Sequence, residues 1–185
     1  MSDLRERILE ASYECVAKQG ISGTSIEDVA RAAQISRATI YRYFPGGRDE
    51  LMAAVIGWET ERFFARLAVE IASAPDNETM LVDALYYGHR AIEEHSVLQK
   101  VLAAEPGLLL PRLTAVTYEL MAVLRAFIVQ RLAGSLPDGV EPVEAGEYVA
   151  RMLLSFMASP GRWDLSDREQ VRTLVRSELM AGFVP

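Results

Sequence analysis

Apolar side chains recur at helical spacing from one end of this 185-residue chain to the other, and that period leaves little room for any other architecture. Alternating β-branched runs and Asn-Gly hairpin turns are missing, so strands have no local support. Proline and glycine cut the pattern into about nine pieces, which predicts an all-α fold. Helix 1 is expected over 3–19, with Leu4, Ile8, Leu9, Ser12, Cys15 and Val16 along one side and Gly20 as its stop. Helix 2 starts at Thr24 or Ser25, because Thr24-x-x-Glu27 and Ser25-x-x-Asp28 both have the form of a capping box. Ser36 caps a third helix ending near Tyr43, where Pro45-Gly46-Gly47 cannot continue the ladder. Further helices are expected over about 49–74, 77–94, 96–104, 111–133, 143–158 and 166–182. Pro106-Gly107 separates the sixth from the seventh, and a loop covers 134–142.

Half of the residues are hydrophobic, enough for a sizeable core and against wholesale disorder. No apolar run approaches the roughly 18 residues of a membrane span, and the N-terminus is charged and amphipathic, unlike a signal peptide. A soluble, cytoplasmic protein without membrane attachment is the expectation. Cys15 is the only cysteine, so an internal disulfide is excluded and the thiol reads as a packing group in helix 1.

The segment 20–51 narrows the function. Its two short helices, a tight turn and a preceding support helix meet the requirements of a helix-turn-helix. The second of the two presents Arg37, Thr39, Tyr41 and Arg42 outward, with Ile40 and Phe44 inward. The arginines suit phosphate or a guanine edge, and Thr39 a phosphate or a thymine methyl. Tyr41 and Tyr43 offer hydroxyls to the DNA backbone, and Thr24 sits at a helix start able to meet a phosphate. Tyr43 packing beside Phe44 and Arg31 as a solvated charge are the competing readings. The net charge of −7 is no obstacle, because the charges are segregated. Val29 to Arg48 holds four arginines and no acid, whereas residues 52–185 carry 12 basic and 18 acidic side chains.

On these residues the chain resembles the TetR family of bacterial transcriptional regulators. The matching positions are Arg7-Ile8-Leu9-x-Ala11, Gly20, Thr24-Ser25-Ile26, Val29-Ala30-x-x-Ala33, Ser36, Thr39-Ile40-Tyr41-x-Tyr43-Phe44-Pro45 and Leu51. The resemblance implies an N-terminal DNA-binding domain over 1–50 and a C-terminal effector-binding and dimerisation domain over 51–185. It implies a homodimer on a palindromic double-stranded operator, usually a repressor released by a small-molecule effector; an effector-free regulator and an activator are the alternatives. The DNA-contacting set becomes Thr24, Ser36, Arg37, Thr39, Tyr41, Arg42, Tyr43 and, by position, Arg48. Two departures stand out. Gln34 occupies the turn position where the family usually has glycine, a left-handed conformation costing a non-glycine residue about 1 kcal/mol. The stretch from Phe44 to Leu51 is one residue longer than the commonest spacing.

In the C-terminal part, Trp58, Phe63, Met80, Tyr86, Tyr87, His89, Met121 and Phe127 are candidates to line an apolar or aromatic effector pocket, against the plainer reading that such side chains form core. Val149, Met152, Leu153 and Phe156 of helix 8, with Val171, Leu174 and Val175 of helix 9, are candidates for a four-helix dimer interface; burial within one chain is the alternative. No cofactor is expected. His89 and His95 are six residues apart with one distant cysteine, which makes no metal set, and no nucleophile elbow or phosphate-cradling loop is present. An enzyme is not expected.

Overall fold

The computed structural model describes residues 4–132, 134, 136 and 139–181, and the side chains of all of these except 114–120, 123 and 132. Among the described residues every regular element is helical. Residues 3, 133 and 182, expected at helix ends, and 135, 137 and 138, expected in a loop, lie outside that description.

Helix α1 (Leu4–Gly23) is interrupted at Gly20, whose φ of 81° and ψ of 175° fall in a region essentially reserved for glycine. The expected stop is therefore a kink, after which one further turn leads to α2 (Ile26–Ala32). Of the two capping boxes, the Ser25–Asp28 pair forms: Ser25 Oγ accepts the Asp28 amide at 3.1 Å, and the Asp28 carboxylate accepts the Ser25 amide at 3.2 Å. Helix α3 (Arg37–Tyr43) starts at Ser36, whose hydroxyl accepts the Thr39 amide at 3.1 Å. Between α2 and α3, Gln34 adopts φ +55°, the left-handed turn expected of that position.

Helix α4 (Gly47–Ile71) begins two residues before the expected start and stops three before the expected end. Helices α5 (Asn77–Glu93) and α6 (Ser96–Ala104) are capped by Asp76, which accepts the Thr79 amide at 2.7 Å, and by His95 Nδ1, which accepts the Leu98 amide at 3.1 Å. Pro106 separates α6 from helix α7 (Pro106–Leu132) as expected, but it opens α7 itself, five residues before the expected start at about 111. Proline suits that position because its φ is preset and its missing N–H would have no partner there. Helix α8 (Pro142–Ala158) also opens on proline, and α9 (Arg168–Leu174) passes into one π turn, Val175–Leu179.

The chain packs as two compact units, residues 1–62 with 95–116, and 63–94 with 117–185. In the first, Ile8, Leu9, Val29, Ile40 and Phe44 meet Leu51, Met52, Val55, Val101 and Leu109 in one core. The packing unit thus extends beyond residue 50, because α4 and the 95–116 segment supply part of the wall on which α2 and α3 rest. The division of roles at 50/51 remains our proposal. In the second unit α5 packs on α8 and α9. Its core includes Met80, Leu85 and Ile128, together with Val149, Leu153, Val171, Leu174 and Val175, each at most 3% exposed. Those last five, expected at a dimer interface, already have their partners inside one chain. Trp58, expected in a pocket, belongs to the first core, where Tyr13 meets it edge-on at 6.4 Å and the Arg62 guanidinium lies 4.4 Å from its centroid.

Candidate nucleic-acid interface

Burial sorts the predicted DNA-contacting residues into two classes. Ile40 and Phe44 are 0% and 1% exposed, so α3 is seated by its apolar edge and its opposite edge faces outward. On that edge Ser36, Arg37, Tyr41 and Arg42 are exposed and Thr39 is half-buried. Tyr41 is 50% exposed, yet a Cβ at Gly47 would meet its ring at 3.3 Å, so the phenol leans on the first residue of α4. The hydroxyls of Ser36 and Thr39 lie 2.9 Å apart, and Tyr43 packs against the core with the Arg42 guanidinium 5.4 Å from its centroid.

Arg37 is held in an ion pair with Glu27 of α2, Nη1 to Oε1 at 2.6 Å. That bond keeps the Glu27 carboxyl below its ordinary range and pushes the guanidinium above its own. Both partners are exposed, so the pair is a weak contact that a phosphate can displace. Arg31 is likewise paired with Asp28 at 3.2 Å. The cationic stretch read from the sequence is therefore partly neutralised by acids on the preceding helix turn.

Two predicted contacts are corrected. Thr24 is 1% exposed and its hydroxyl donates to the Gly20 carbonyl at 2.7 Å, so its side chain is committed to the kink. Arg48 bends back on the same turn, its side chain 36% exposed: Nε donates to the Thr24 carbonyl at 2.8 Å and Nη2 to the carbonyls of Ile21 and Ser22. The extra residue in the Phe44–Leu51 stretch accompanies this, with Gly47 at φ +68° turning the chain into α4. Sequence reading missed the residues that hold this region from afar. Arg7 donates to the Ala33 carbonyl at 3.1 Å, and the Glu105 carboxylate accepts the amides of Ile21 and Ser22 at 2.6 and 3.0 Å. Arg7 lay within the family motif; Glu105, some eighty positions from its partners, has no local signal.

In the second unit an apolar cavity of about 20 Å³ has room for roughly one water-sized sphere. Of the residues expected in an effector pocket, Met80 and Phe127 lie in its wall. Phe63, Tyr86, Tyr87, His89 and Met121 do not, and the wall comes instead from Phe64, Leu67, Ile71, Leu81, Ala84, Leu124, Ile128, Leu153, Leu154 and Met157. Phe63 packs edge-on against Phe64 at 5.1 Å. Tyr86 and Tyr87 pair at 5.4 Å under the Arg168 guanidinium, which also bonds Asp83. Aromatics at helical spacing cannot be divided between cavity and core by period alone. No cluster of metal-ligating side chains occurs among the described residues, and no helix among them is long and apolar enough to cross a membrane.

Residues 8–55 match the family model of bacterial regulatory proteins, tetR family. The chain is 26% identical over 170 residues to the uncharacterized HTH-type transcriptional regulator Rv1255c of Mycobacterium tuberculosis, covering 92% of this chain and 82% of that one. The structure of the Rhodococcus erythropolis transcriptional repressor QsdR, from the TetR family, superposes with a TM-score of 0.65 at 19% identity over 98% of this chain and 96% of that one. The regulator FadR of Bacillus subtilis in complex with stearoyl-CoA does so with a TM-score of 0.55 at 17% identity over 93% and 97%.

Proposed function

Because the chain belongs, by its N-terminal domain, to the TetR family of DNA-binding transcriptional regulators, we propose that it is a homodimeric repressor that reads a palindromic operator with α3 and leaves it when a small apolar ligand binds. The observation that carries the reading is the outward edge of α3, where Arg37, Tyr41 and Arg42 stand exposed on a helix whose other edge is locked in the core. Arginine fits phosphates or a guanine edge, and hydroxyls at Ser36, Thr39 and Tyr41 fit the backbone.

Two half-sites require two copies of α3. With five of the expected interface residues buried, the dimer face we assign is the remaining side of α8. There Tyr148, Met152, Ser155 and Phe156 follow one another at helical spacing and are exposed or half-buried. The effector is inferred to be apolar from the hydrocarbon lining of the cavity; the stearoyl-CoA bound by FadR shares that character only in its acyl chain, its CoA head being charged. Its present volume favours a second reading, a regulator with no small-molecule effector, since any acyl chain must first part the walls.

The decisive experiment selects duplexes from random DNA with the wild-type chain and compares Arg37→Ala on the winning sequence. We expect affinity to fall about tenfold and the salt dependence to shallow by about one phosphate contact. Unchanged binding in both Arg37→Ala and Tyr41→Phe would sink the docking. Stearoyl-CoA that releases the operator supports the first reading, and its failure to do so, together with that of a series of alkanoic acids, supports the second.

A further inference from the structure

The backbone from Ala17 to Thr24, which carries α1 into α2, is held by side chains far away in the sequence. Glu105, at the corner between α6 and α7, accepts the Ile21 amide on Oε2 at 2.6 Å and the Ser22 amide on Oε1 at 3.0 Å, and the Ser22 hydroxyl bonds it too. Arg48 takes the carbonyls of the same turn from the start of α4. Lys100 Nζ donates to the carbonyls of Ala17 and Lys18 at 2.8 and 3.1 Å, the terminal carbonyls of the helix before the kink. Gly20 belongs to the same arrangement: a Cβ there would sit 3.0 Å from Glu105 Oε2. A glycine at this position thus serves both the positive φ and the approach of the carboxylate.

The polar atoms of Glu105 and Lys100 are spent on backbone, so neither is aimed at a ligand. What they fix is the turn that ends at the Ser25 cap, and through α2 the seat of α3. We propose that Glu105, supported by Lys100, is a positioning residue for DNA binding: it clasps the Gly20–Thr24 turn against Arg48 and so sets the orientation of the helix-turn-helix without touching DNA. The inference rests on the DNA-binding reading above. The charge of the carboxylate is met by two amides and a hydroxyl, with the Arg48 guanidinium nearby.

The test uses the full chain and the duplex that wild type selects from random DNA. Glu105→Gln, which replaces a carboxylate oxygen by a donor facing amides, is expected to weaken that duplex about tenfold. The amide proton resonances of Ile21 and Ser22 are expected to move upfield, and Glu105→Asp to restore part of the affinity. A folded Glu105→Gln chain that binds like wild type overturns the proposal, as does weakened binding with both resonances unmoved. If Glu105→Gln does not fold, Lys100→Met carries the test, since it frees the α1 carbonyls while leaving the carboxylate in place. A loss of about threefold supports the proposal, and unchanged affinity in the folded variant overturns it. Wild-type chain that selects no duplex at all would overturn the operator reading itself, an outcome distinct from selection followed by indifference to Glu105.

Discussion

The two units of this protein both have apolar cores and side-chain caps, and they differ in how many long-range bonds to backbone gather on one turn. In the first, the segments that matter for DNA are fixed at their ends by polar side chains bonded to backbone: Ser25, Ser36, Arg7, Arg48, Lys100 and Glu105. In the second, the core is a continuous apolar mass with a small cavity, and its buried charge, Asp83, is met by Arg168. Directional bonds to backbone specify where a helix end sits, which a surface reader requires. Apolar contacts are non-directional and allow repacking, which suits a region that must open if it is to admit a ligand.

The contrast can be broken by mutation, beginning with the largest effect. Leu153→Ala, at a 3% exposed wall of the cavity, should cost about 2–5 kcal/mol in chemical denaturation, because the space left behind is only partly recovered. A cost under about 1 kcal/mol would show that the second unit already repacks freely. Gln34→Gly should act in the opposite sense in the first unit. With φ at +55°, relief of the left-handed strain is worth up to about 1 kcal/mol, read as a higher denaturation midpoint; an unchanged or lower midpoint would remove the strain argument. The smallest effect is in pH. The Ser22 hydroxyl first, then the Ser22 and Ile21 amides and Arg48, hold the Glu105 carboxyl below its ordinary range against the cost of desolvation. A carboxyl depressed in the folded state contributes stability that is complete above its unfolded value, about 4.3, and is lost as pH falls through the folded value. Glu105→Gln should therefore flatten the acid limb of the stability curve below about pH 4.5 while leaving the neutral region level. An identical acid limb in both proteins would deny the carboxylate its role.

How far the sequence could be read follows the same divide. Gly20 reads as a helix stop and is a kink; the Ser25 and Ser36 caps, the turn at Gln34 and the outward edge of α3 are local, set by residues within four positions of one another. Each was legible because capping, turn conformation and helical period are short-range physics. Pro106 misled because proline reads as a break wherever it stands, although the first helical turn tolerates it.

Arg48 and Thr24 were misread for another reason. A side chain that can reach a phosphate can also reach a carbonyl, and the competition is settled by what the fold brings close. The same holds for the aromatic residues of the second unit and for Val149 or Val175, whose period shows that a face is apolar but not which neighbour covers it.

The sequence by itself determined that this chain is helical, that its N-terminal third carries a helix-turn-helix, and which side chains of α3 point outward. Only the tertiary structure decided which polar groups of the helix-turn-helix stay exposed, which apolar faces are covered within the chain, and that Glu105 holds the turn before α2. Helical period and capping act over a few residues, whereas the partner of a buried face or a bent-back guanidinium is chosen by contacts between segments some eighty residues apart.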